Sequence, residues 1–144
     1  MSAVREQALV DAPVPTVWEL IGNPVRYPEW FPRVLEIDGA RYEEGGRFVM
    51  VTRHPLIGRD EPEMLIDQVD DLHSIRMHCT ISGMFVQWQL TDAQGGTFVD
   101  AEFGMDPIRW RDRMKDAAGG RHFFRRWLDE AIDGLRNAAE LAPS

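Results

Sequence analysis

Through the middle of the chain, apolar and polar residues alternate with a period of two, and the departures lie near its ends. "VREQALV" (residues 4–10) mixes the two kinds as a half-buried strand does, with imperfect alternation. "VLEIDG" (34–39) supplies a second strand. "RFVMVTRH" (47–54) sets Arg47 and Arg53 on one face and Phe48, Met50, Thr52 and His54 on the other. "EPEMLIDQV" (61–69) sets Glu61, Glu63 and Asp67 against Met64, Ile66 and Gln68, with Pro62 suited to a strand start or an edge. "SIRMHCTI" (74–81) sorts Ile75, Met77, Cys79 and Ile81 from Ser74, Arg76, His78 and Thr80. "MFVQWQL" (84–90) gives Met84, Val86, Trp88 and Leu90 against Phe85, Gln87 and Gln89. "TFVDAEFGM" (97–105) gives Val99, Ala101, Phe103 and Met105 against Phe98, Asp100 and Glu102. Turn-like breaks at 43–46, 70–73, 82–83 and 92–96 separate these runs. Short connections between alternating strands predict an antiparallel meander with one wet face.

Near the ends the period lengthens. Pro13 and Pro15 suit a first helical turn, where a missing N–H costs nothing. Val17, Trp18, Leu20 and Ile21 then follow at helical spacing until Gly22 and Pro24 end a short helix. "NPVRYPEWFPRV" (23–34) holds Pro24, Pro28 and Pro32 among Tyr27, Trp30 and Phe31. Each proline biases its predecessor away from helix, so this stretch is a broken turn held by its rings. Asp106 and Pro107 suit the start of a C-terminal helical region, with a kink or break at Gly119–Gly120. Its last part places Phe124, Leu128, Ala131, Leu135 and Ala138 on one stripe. The order is strand, two short helical pieces, about six strands and a long helix: an α+β arrangement in one domain over 1–144.

Composition narrows the function. Sixteen basic residues against twenty-four acidic ones leave a net charge of −8, which disfavours nucleic acid as a partner. The basic cluster "RWRDR" (109–113) reads as a solvated helix start. No apolar run is long enough to span a bilayer, the first residues do not resemble a signal peptide, and Cys79 stands alone. A cytoplasmic protein, monomer or homodimer, is the expectation.

The residues in "DAPVPTVWELIGNPVRYPEWFPRV" (11–34) carry a resemblance. The Ala-Pro, the Val-Trp on the first helix and the Trp-x-Pro-like segment resemble the bacterial polyketide cyclase/dehydrase and lipid-transport family. That family lies within the START-related, birch-pollen-allergen-like helix-grip superfamily. The hairpin "WQLTDAQGGTFVDAEF" (88–103) and the helix "RRWLDEAIDGLRNAAE" (125–140) are similar to the family's too. The resemblance implies a curved antiparallel sheet of about seven strands wrapped on the terminal helix, with a deep cavity between them. Tyr27, Trp30 and Phe31 are then either a rim at its mouth or a plug in the core.

The candidate lining follows from the inward faces: Phe48, Met50, Met64, Ile66, Met77, Cys79, Val86, Trp88, Phe103, Phe124 and Leu128, with Tyr27 and Trp30 beside them. Methionine adapts to irregular shapes, which suits varied greasy guests. Thr52, His54, Gln68 and the Trp88 indole are the polar groups that would orient a ligand. His54, or another lining group, is the candidate for proton transfer, and a thiol buried like Cys79 in apolar surroundings is inert. Glu61 and Glu63 share a face, but one turned to solvent. The histidines show no metal-ligand spacing, the Gly-Gly pairs form no phosphate cradle, and no cofactor motif appears. The leading expectation is a carrier or sequestering protein for a hydrophobic small molecule. Two alternatives stay open: an aromatase/cyclase or dehydratase using the same cavity, and a protein-interaction module, which would need an apolar patch on the outer sheet face.

Overall fold

The computed structural model describes residues 2–39, 41–54, 58–106 and 121–141. In chain order these form β1 (Ser2–Val10), α1 (Val14–Ile21), a 3-10 turn (Pro24–Arg26), α2 (Tyr27–Trp30), β2 (Val34–Gly39), β3 (Arg47–His54), β4 (Gly58–Asp60), β5 (Glu63–Asp70), β6 (Ser74–Cys79), β7 (Met84–Ala93), β8 (Gly96–Met105) and α3 (Arg121–Glu140). The strands pair antiparallel in the order β1-β8-β7-β6-β5-β3-β2, and the short β4 pairs with the end of β3. All seven strands read from the alternation are on this path; β4 is an addition. The sheet curls, and α3 lies across β1 and β8 and meets α1 and α2.

Local chemistry explains the connections. β7 and β8 are joined through Gln94 and Gly95, both at positive φ, as a tight two-residue hairpin of the primed type requires. α1 ends at Gly22, whose N–H donates to Trp18 O at 2.7 Å. The carbonyls left over at that helix end take side-chain donors instead. Tyr27 Oη–H donates to Ile21 O at 2.7 Å and Trp30 Nε1–H to Leu20 O at 3.1 Å. The proline-rich stretch is thus fastened to the helix before it by its rings, and α2 is the broken turn its prolines allow.

α3 closes on this arrangement at Gly134. A methyl group there would come within 2.2 Å of Trp30 O, so only glycine lets the helix approach α2 so closely. α3 also covers the outer strand of the sheet. Arg125 donates to Arg5 O and Arg136 to Leu9 O, each at 3.2 Å, which screens β1 from pairing with another chain.

Two inward assignments are corrected. Gln68 is exposed and sits opposite Arg76, because the β5–β6 register shifts between Ile66 and Gln68. An extra residue at Asp67 inverts the alternation beyond it. Ile81 is exposed because β6 ends at Cys79 and the chain turns. Pro107, the cluster 109–113 and the break at Gly119–Gly120 lie outside the described residues.

Candidate functional site

The interior between sheet and α3 divides along β7. On one side stands a cluster of rings. Phe31 is its hub, with ring centroids 5.5 Å from Tyr27, 5.0 Å from Trp30, 6.1 Å from Trp88, 5.7 Å from Phe103 and 5.2 Å from Trp127. Tyr27, Trp30 and Phe31 are buried, so they are core members and not a rim. Burial pushes the Tyr27 phenol pKa up, so its hydroxyl stays protonated and donates. Trp127, absent from the predicted stripe, is buried and donates to Pro32 O at 2.7 Å. Its place three residues after Phe124 was the available signal, because a helix face takes both the three- and four-residue spacings.

On the other side of β7 the wall changes character. Met50, Met64, Ile66, Met77 and Cys79 are all buried on the inner faces of β3, β5 and β6, with Phe48 beside them. The register sets Met64 between Phe48 and Cys79, and Ile66, Met77 and Val86 in one row. Phe124 and Leu128 of α3 are buried as the sequence reading places them. Of the predicted lining, Phe48, Met64, Ile66, Met77, Cys79 and Val86 are neighbours in register here, whereas Tyr27, Trp30 and Phe103 belong to the ring cluster and Gln68 faces out.

The polar candidates separate in the same way. Thr52 and His54 are half-buried on β3, and the His54 ring stacks on Phe123 at 4.8 Å. Arg33 stands near them at a positive φ, its guanidinium 5.6 Å from the Phe123 ring centroid and its Nε 3.5 Å from Glu130. Trp88 lies on β7 between the two walls, opposite Ile75 of β6 and Ala101 of β8. It is 0% exposed, and its indole N–H has no hydrogen-bond partner among the described residues. Tyr27, Trp30 and Trp127 all donate to main-chain carbonyls; Trp88 does not. A buried donor left unmade costs about 1–3 kcal/mol, so this group marks a place where an acceptor is missing.

The outer face is mostly polar. Arg5, Gln87, Gln89, Asp100 and Glu102 line an open groove of about 200 Å³ there. Arg5 Nε donates to Asp100 Oδ1 at 2.9 Å, and this hydrogen bond holds the Asp100 carboxyl below its ordinary pKa. His78 Nδ1 lies 2.8 Å from Asp67, and Glu63 pairs with Arg47. Phe85 is buried on this face beneath the Arg76 guanidinium, and Leu9 is exposed near one edge. Among the described residues no three His, Cys, Asp or Glu side chains converge as a metal would require. No described helix is long and apolar enough to cross a membrane.

Solved structures share this architecture across nearly the whole chain at low identity. A protein from Thermus thermophilus matches with a TM-score of 0.78 at 15% identity, covering 99% of this chain and 99% of that one. A START superfamily protein from Mycobacterium smegmatis matches with a TM-score of 0.74 at 12% identity, covering 97% and 98%. A protein from Nitrosomonas europaea matches with a TM-score of 0.74 at 16% identity, covering 96% and 94%. At these identities the likeness speaks for the fold alone. A comparison with curated proteins finds no match. The family described as polyketide cyclase / dehydrase and lipid transport matches residues 1–140, and the chain belongs to it.

Proposed function

We propose that this protein holds a hydrophobic small molecule of lipid or polyketide kind between its sheet and C-terminal helix, as a carrier or sequestering protein. The observation that carries the reading is the methionine wall. Met50, Met64 and Met77 are fully buried on three adjacent strands, while α3 rests on β1 and β8 at the other end of the sheet. Thioether side chains turn about three bonds and repack around a guest at small cost, which rings locked edge to face do not. Transfer of apolar guest surface from water supplies the driving force, at about 25 cal/mol per Å². The family description, which includes lipid transport, supports the same reading.

The test is direct binding. Native mass spectrometry of the purified protein and titration with a fluorescent fatty probe should reveal a lipophilic guest or saturable uptake. Met64→Trp, which fills the wall, should abolish uptake while circular dichroism stays unchanged. Failure of fatty acids, sterols and aromatic polyketides alike to bind would overturn the proposal.

A further inference from the structure

We infer that Trp88 Nε1–H is the polar anchor of the guest, and that the guest is a neutral, oxygen-bearing lipophile that presents a carbonyl oxygen to it. This rests on the container reading above and adds the chemistry that selects among greasy molecules. Three observations meet at Trp88. Its N–H is buried without a partner among the described residues, whereas those of Trp30 and Trp127 are satisfied by the main chain. It stands on β7, the strand where the ring cluster gives way to the methionine wall. Its ring is wedged against Trp30, Phe31 and Phe103 at 74–89° between planes, so it cannot swing away to find another acceptor.

The donor's chemistry fixes the class. An indole N–H donates and cannot accept, so the guest atom must be an acceptor. A carboxylate is an acceptor too, but it would carry a full charge into an apolar interior. Arg33, whose buried Nε also has no hydrogen-bond partner among the described residues, already has its charge balanced by Glu130 at 3.5 Å, and Arg125 is paired with Glu6. A ketone or ester oxygen meets the requirement with no charge to bury. A saturated hydrocarbon of the same length leaves the donor as it was.

The experiment compares 2-undecanone, undecane and undecanoate on protein labelled with 15N at tryptophan. The ketone should bind about tenfold tighter than the alkane, in line with one hydrogen bond to a buried donor. It should move one indole N–H resonance downfield, and that resonance should be the one missing from Trp88→Phe. Trp88→Phe should erase the preference, binding ketone no more tightly than the same variant binds alkane. Undecanoate should leave the Trp88 resonance in place. If the ketone binds while the Trp88 resonance stays still, or if Trp88→Phe binds ketone unchanged, the anchor is wrong and the container stands. An upfield indole proton that no guest moves would show the N–H spent on a ring face, and the anchor would fall in the same way. If undecanoate alone binds, the anchor falls and the container stands; if none of the three binds and sterols and aromatic polyketides fail as well, the container reading falls and the anchor with it. The resonance is read on the unaltered protein, so the test survives a variant that fails to fold.

Discussion

The two walls of the interior are built from different materials. The wall formed by α2, β8 and α3 is rings in fixed edge-to-face and stacked contact, with three of its polar groups tied to the main chain. The wall formed by β3, β5 and β6 is mainly thioether, thiol and aliphatic side chain, with the ring of Phe48 among them. Both are buried, yet they answer differently to change. Rings packed at 5–6 Å lose many contacts at once when one is cut back, while methionine shifts rotamer to follow its neighbours. One wall is scaffold and the other is adaptable, and the orphan donor of Trp88 lies on the seam between them.

The largest effect should come from striking the ring wall at its hub. Phe31→Ala should cost about 3–5 kcal/mol by urea unfolding, since Phe31 touches five other rings. Met77→Leu, equally buried, should cost less than about 1.5 kcal/mol. Similar losses at the two sites would erase the distinction between the walls. Next comes the helix that clamps the ring wall. Glycine in a helix interior is worse than alanine by about 1 kcal/mol, so propensity alone has Gly134→Ala stabilising. The approach of Trp30 O to 2.2 Å from an added methyl reverses that sign, and a loss of about 1–3 kcal/mol is expected. A rise in Tm would mean that α3 does not press on α2 as described.

The smallest effect lies on the outer face, away from both walls. The Asp100 carboxyl is held below its ordinary value of 3.8 by the hydrogen bond from Arg5. Its contribution to stability is therefore present above the unfolded value and is lost as pH falls through the lower folded one. Urea midpoints taken from about pH 6 down to about pH 3 should fall more steeply for the wild type than for Asp100→Asn. Parallel curves would show that the pair adds nothing measurable, as many surface pairs do.

Much of this was legible in the residues. The alternation in "SIRMHC" and "MFVQWQL" placed Met77, Cys79, Val86 and Trp88 inward, where they are. Strand side chains take opposite faces in strict turn, so one reading of phase sorts a whole strand. The phase failed at Gln68, where the added residue at Asp67 resets it. A bulge depends on how β5 meets β6, and neither strand carries that information alone. Trp127 was missed for a related reason, because the stripe could be drawn through its neighbour Leu128 equally well.

By itself the sequence determined the seven strands of the main path, the inward face of each outside the bulge at Asp67 and the end of β6, and where the chain turns. Those choices are local, set by side-chain period and by the φ that glycine and proline allow. Only the tertiary structure decided that the rings of α2 fill the core and that they divide the interior from a methionine wall. It also decided that Trp88, among the described donors of the ring cluster, is the one left without an acceptor. Whether a polar group is satisfied depends on which distant carbonyl arrives beside it, and that is settled by packing across the fold.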